Sequence, residues 1–200
     1  MKTKILIGTN NKDKLKQFLR IFKNLNADLE LLSLKDLGIT DDVEENSNNL
    51  LDNAKKKAKY YGEKSKTLTL ADDTGLFVDV LNGKPGLHSK RWYVGTDKDR
   101  YIKILERMKN IPKEKRTCRY TGVLVVYDPK TKEFWIYQNN LEGIIADKPV
   151  EANGFGYDPI FICAEYNKYY SQLTDTERDT ISHRGLGIKE LLQYLNKNRF

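Results

Sequence analysis

Apolar residues fall along this chain in two rhythms. Short apolar runs alternate with longer stretches in which apolar residues recur every three to four positions. Thr3–Thr9, "TKILIGT", reads as a buried strand, followed by polar "NNKDK" and a helix with Leu15, Phe18, Leu19 and Phe22 on one face. Leu29–Ser33 reads as a second strand, and "DDVEENSNN" as an acidic loop. A helix is predicted over Asn48–Gly62, with Ser47 as its candidate cap. Thr67–Ala71 reads as a strand that ends in Asp72 and Asp73. Leu76–Leu81 reads as another strand, closed by the turn pairs Asn82-Gly83 and Pro85-Gly86.

Further on, Asp97–Lys109 predicts a helix with Tyr101, Ile104, Leu105 and Met108 on one face. Arg116–Asp128 and Glu133–Ile145 alternate over long runs joined by "DPKTK", the pattern of a hairpin. "GFGYDP" precedes a strand at Ile160–Cys163, and Thr174-x-x-Glu177 is a capping box. The last helix carries Ile188, Leu191, Leu192 and Leu195 on one face. Crossovers mixed with a hairpin predict an α/β fold on a mixed sheet. No repeat, low-complexity tract or linker divides residues 1–200, so a single domain is expected.

Composition changes this picture little. The net charge of +7 admits a polyanionic partner or a solvated lysine surface. The apolar run "ILIG" is too short for a signal peptide or a membrane span, so a cytoplasmic location is expected. Cys118 and Cys163 lack CxxC spacing and read as small buried hydrophobes in a reducing compartment.

The candidate chemistry lies in five short stretches. Thr9, Asn10, Asn11, Lys12, Asp13 and Lys14 sit at a strand-to-helix junction. Such junctions offer backbone N–H groups to anions, although an Asn-capped turn fits the same residues. Glu44 and Glu45 precede a helix, while Asp72 and Asp73 follow an apolar strand. Carboxylates grouped in this way suit a hard cation such as Mg²⁺, although an acidic helix start fits Glu44 and Glu45 as well. Lys55, Lys56, Lys57 and Lys59 lie on the helix between them, either as a solvated face or with one lysine reaching an anion. "GFGYDP" fits a generic loop, or one whose glycines permit close backbone approach and whose aromatic can stack on a base. "SHRG" opens the last helix with His183 and Arg184, whereas His88 reads as structural or peripheral.

Taken in order, "TNNKDK", "EEN…LDNAKKKA", "ADDTGLFVDVLNGKPGLHSKRW", "NGFGYDPIF" and "ISHRG" resemble the inosine triphosphate pyrophosphatase family, also called the Ham1-like or XTP/dITP diphosphatase family, in its bacterial-type branch. The resemblance covers nearly the whole chain. It implies an α/β fold with a long twisted mixed sheet, flanking helices and two lobes around a central cleft. It also implies a homodimer, Mg²⁺, and cleavage of a purine nucleoside triphosphate (ITP, dITP or XTP) to monophosphate and pyrophosphate. Position by position, Asp73 would be metal ligand and general base, and Glu45 a second acidic residue at the metal. Thr9–Lys14 would form the triphosphate loop, with Lys14 in direct contact, and Lys57 would join it. Phe155, Gly156, Tyr157 and Asp158 would hold the base, and His183 and Arg184 would meet its edge. Thr74 stands where the family often has Ser, Arg178 where Lys is common near the base, and Lys90 where a small residue is usual. A basic nucleic-acid-binding module would leave the paired carboxylates unexplained, so no nucleic-acid partner is expected. "SHRG" and "GFGYDP" speak against a Maf-like nucleotide pyrophosphatase.

Overall fold

The computed structural model describes residues 2–197. The strands are β1 (Thr3–Ile7), β2 (Leu29–Ser33), β3 (Leu68–Val78), β4 (Lys84–Gly86), β5 (Thr117–Tyr127), β6 (Phe134–Ile145), β7 (Phe161–Cys163) and β8 (Lys168–Tyr169). The α-helices are α1 (Lys12–Asn24), α2 (Leu50–Ser65), α3 (Asp97–Arg107), α4 (Asp175–Ile181) and α5 (His183–Lys197). The sheet runs β2-β1-β3-β5-β6-β7-β8, with β4 added on β3. β1 is parallel to both β2 and β3, while β4, β7 and β8 pair antiparallel with their neighbours. The mixed α/β reading therefore holds.

The chain forms two compact units. The first is Met1–Asp73, Gly122–Asn139 and His183–Phe200; the second is Thr74–Thr121 and Asn140–Ser182. In the first unit, β1 reads as an unbroken apolar run because both of its faces are covered. Ile5 and Ile7 pack with Phe18, Ile21 and Phe22 of α1 and Ile188, Leu191 and Leu195 of α5. Leu6 points to the other face and packs with Leu34, Ile39, Val43 and Tyr61 of α2. In the second unit, Tyr101, Ile104 and Met108 pack against Leu76, Cys118 and Phe161. Among the described residues, no helix is long and apolar enough to cross a membrane.

Several local expectations are corrected. β3 does not stop at Asp72-Asp73; it runs through them to Val78, and residues 79–81 form a 3₁₀ turn. Pro85-Gly86 lies in β4 rather than in a turn, whereas Asn82 and Gly83 do turn the chain, with φ of 53° and 75°. On α1 the buried stripe is Phe18, Ile21 and Phe22, and Leu19 is exposed. The helix also begins earlier than its apolar stripe, at Lys12, inside the polar loop. α2 is capped by Asn49, whose Oδ1 accepts from the Asp52 N–H at 2.7 Å, and not by Ser47.

The cap makes a direct test. Asn49→Ala is expected to lower unfolding free energy by about 1 kcal/mol in urea titration, and Ser47→Ala by clearly less. Equal losses would move the cap back to Ser47.

Candidate active site

Side chains alternate across a strand, so Asp72 and Asp73 point to opposite faces of β3. This parts two like charges that a strand end would have crowded. Asp72 meets the α1 and α5 side. There its Oδ2 accepts from Arg184 Nε at 3.0 Å and Nη2 at 2.6 Å, and Lys14 Nζ lies 3.2 Å from Oδ1. His183 Nε2 lies 3.7 Å from Oδ2. Burial raises the Asp72 carboxyl, but Arg184 and Lys14 overcome this and hold it well below the usual carboxylate range.

Asp73 meets the α2 side, where Lys57 Nζ lies 3.6 Å from its Oδ1. The same ammonium donates to Glu45 Oε1 at 2.5 Å and to the Asp72 backbone carbonyl at 2.6 Å. Burial raises Asp73 above its ordinary value against the pull of Lys57 and Lys14. Burial works against the Lys57 charge, yet Asp73, Asp72 and Glu45 together raise its pKa. Lys14 is lowered, chiefly by burial.

The first unit thus gathers Lys14, Lys57 and Arg184 against Glu45, Asp72 and Asp73. Three cations match three carboxylates. A polyanion entering this set calls for additional positive charge. The acceptors facing Lys57 are hard carboxylate oxygens, a donor chemistry that suits a hard divalent cation. Among the described residues, no group of three or more His, Cys, Asp or Glu side chains is placed to hold a metal.

The junction Thr9–Lys14 folds as an Asn-capped helix start. Asn11 Oδ1 accepts from the N–H of Asp13 at 2.9 Å and of Lys14 at 3.1 Å, so the cap occupies these amides. Thr9 Oγ1 accepts from Asn11 N–H, and Asn10 donates to the Asp41 carbonyl. Lys12 and Asp13 are exposed. Lys14 turns inward to Asp72.

The other expected residues belong to the second unit. Asp158 Oδ2 accepts from Phe155 N–H at 3.0 Å, and its Oδ1 accepts from the Tyr120 hydroxyl at 3.0 Å. Gly156 N–H donates to Asp97 at 2.8 Å. These bonds fix a loop in which Gly154 and Gly156 take left-handed φ of 93° and 65°. Tyr157 is a core residue whose hydroxyl donates to the Ser89 carbonyl, so Phe155 is the half-buried aromatic of the loop. Arg178 is buried and paired with Asp175. Thr74 is half-buried in β3, and Lys90 and His88 are exposed. Both cysteines are buried, and burial pushes their thiols up, which removes them as nucleophiles.

Two residues at this site have no signal in the sequence. Gln17 is buried, and its Oε1 accepts from Arg184 Nη1 at 2.8 Å. Gly122 of β5 lies so close beneath the His183 ring that a Cβ there would run into it. Periodicity marks position 17 as helix interior, but nothing local shows that its amide faces a guanidinium 167 positions away.

An α/β chain with buried carboxylates held by lysines and an arginine is the class defined so far. The model of the Ham1 family matches residues 5–194, and the chain belongs to that family. It is 39% identical over 197 residues to a dITP/XTP pyrophosphatase of Thermoanaerobacter pseudethanolicus, covering 97% of each chain. It is 37% identical to the enzyme of that name from Bacillus subtilis, covering 95% of this chain and 96% of the other. A HAM1 protein from Coxiella burnetii superposes with a TM-score of 0.85 at 28% identity, over 98% of this chain and 99% of that one. The Staphylococcus aureus Ham1 protein does so with 0.83 at 30%, over 98% and 100%.

The site also predicts a pH dependence. Burial pushes the His183 imidazole down to about 4, with Arg184 acting the same way and Asp72 opposing. The fold therefore keeps His183 neutral, while the unfolded chain takes up a proton near the ordinary value of about 6.5. Stability from this group is complete above that value and is lost as pH falls toward 4, by on the order of 3 kcal/mol. Urea midpoints at pH 7 and 4.5 should converge far more in His183→Gln than in the wild type. An undiminished slope in the variant would assign the loss to other groups.

Proposed function

We propose that this chain hydrolyses deaminated purine nucleoside triphosphates, namely dITP, XTP and ITP, to the monophosphate and pyrophosphate. The observation that carries the reading is the buried Asp73, raised by burial and held beside Lys57 and Glu45 on the face of β3 opposite the Asp72–Arg184 pair. The names of the relatives supply the substrate class.

In this reading Asp73 accepts the proton of a water that attacks the α phosphorus. The new O–Pα bond forms as the bridging bond from Pα to the β-phosphate oxygen breaks, and pyrophosphate departs with that oxygen. A carboxylate raised toward neutrality is the stronger base. Lys14 and Lys57 bind the triphosphate, with Thr9–Asp13 shaping the loop around it. Glu45 and Asp73 are the residues that would hold Mg²⁺, which takes one or two carboxylates plus substrate phosphates rather than a full protein cage. When bound, it supplies the positive charge that the balanced cluster lacks.

Phe155 is the aromatic of its loop that would offer a face to the purine, and the resemblance assigns Gly156, Tyr157, Asp158, Arg178 and Thr74 to substrate binding as well. Hypoxanthine and xanthine present an acceptor oxygen at position 6, where adenine presents an amino donor. His183 and Arg184 supply donors, and a donor facing an amino group is left unsatisfied, which is costly. Together with a cytoplasmic homodimer, these roles follow the family resemblance.

Phosphate release from ITP tests the reaction. It should require added inorganic pyrophosphatase, and Asp73→Asn should lower turnover by roughly a hundred- to thousandfold with the fold retained. Phosphate released without the auxiliary enzyme, or a variant turning over near the wild-type rate, would overturn the reading.

A further inference from the structure

Gln17 is buried on the face of α1 that carries Lys14. Positions three apart on a helix are neighbours. Its amide oxygen and the Asp72 carboxylate approach the same guanidinium from different elements. Asp72 takes both the Nε and Nη2 protons on one oxygen, Oδ2. Gln17 adds an acceptor at Nη1, a second point in the guanidinium plane, and the centroid of the Phe18 ring lies 5.8 Å from the guanidinium carbon.

We infer that Gln17 is a positioning residue: it fixes the plane of Arg184 and, through it, the discrimination between a 6-oxo and a 6-amino purine. The second half of this inference rests on the substrate reading above. Leucine at position 17 fills similar space but accepts nothing, so a buried N–H of Arg184 loses its acceptor. Glutamate keeps an acceptor oxygen at the same reach.

The test compares the wild type with Gln17→Leu and Gln17→Glu by two measurements. One is the ¹⁵N–¹H resonance of Arg184 Nε. The other is kcat/KM for ITP and for ATP. In Gln17→Leu the resonance should move or broaden, and kcat/KM for ITP should fall by about tenfold or more, with a smaller loss on ATP. In Gln17→Glu the resonance should stay sharp and ITP activity return to within about threefold of wild type. A purely structural role would lower the melting temperature and scale both substrates equally, and that result overturns the inference. So does an unmoved resonance in Gln17→Leu. A wild type that leaves ITP intact defeats the substrate reading and the selectivity half with it, while the resonance still decides whether Gln17 fixes Arg184.

Discussion

The pairing of Asp72 with Arg184 is the contact on which the first unit's site depends. Both groups are buried, and each is costly to bury alone. Removing one partner of such a pair typically costs about 3–5 kcal/mol, because the other charge stays behind without compensation. That is a large share of the roughly 5–15 kcal/mol that holds a domain folded. The contact ties β3 to α5, and through Lys14 and Gln17 it reaches α1 as well. The residue beside it, Asp73, is then left for the opposite face with a different set of partners.

This division of labour gives the two aspartates different proton affinities within one dipeptide. Arginine and lysine keep Asp72 ionised, whereas burial lifts Asp73. Adjacent carboxylates in a single pocket would titrate as a coupled pair. The pleat lessens this coupling by setting the backbone of β3 between them, and the Asp72 charge still adds to the rise of Asp73. Lys57 touches both residues, through the carboxylate of Asp73 and the backbone carbonyl of Asp72.

The sequence made the family legible because five motifs keep their order over nearly the whole length. Elements with a strong period were also legible: β2, α5 and the Thr174–Glu177 box needed little correction. β3 was misread because an Asp-Asp pair looks like a strand end unless its countercharges are known. Those countercharges come from Arg184, 112 positions away, and Lys14, and no local pattern reports them. Gln17 stayed hidden for the same reason. Leu19 fits the apolar spacing of α1, but the stripe that meets the sheet is turned toward Ile21. The cap of α2 shifted by two positions because Ser47 and Asn49 are both good caps, and only geometry chooses between them.

The first unit is assembled from three separate stretches of chain, and α5 supplies the last of them. On a ribosome adding about 5–20 residues each second, Asp72 waits on the order of ten seconds for Arg184 to be made. During that interval the carboxylate has no arginine to enclose it, and β1 lacks the apolar cover of Ile188, Leu191 and Leu195. The nascent chain therefore cannot close the site early. The cluster that binds Asp72 and the core that buries β1 are completed by the same late helix, so a chain halted before it yields neither.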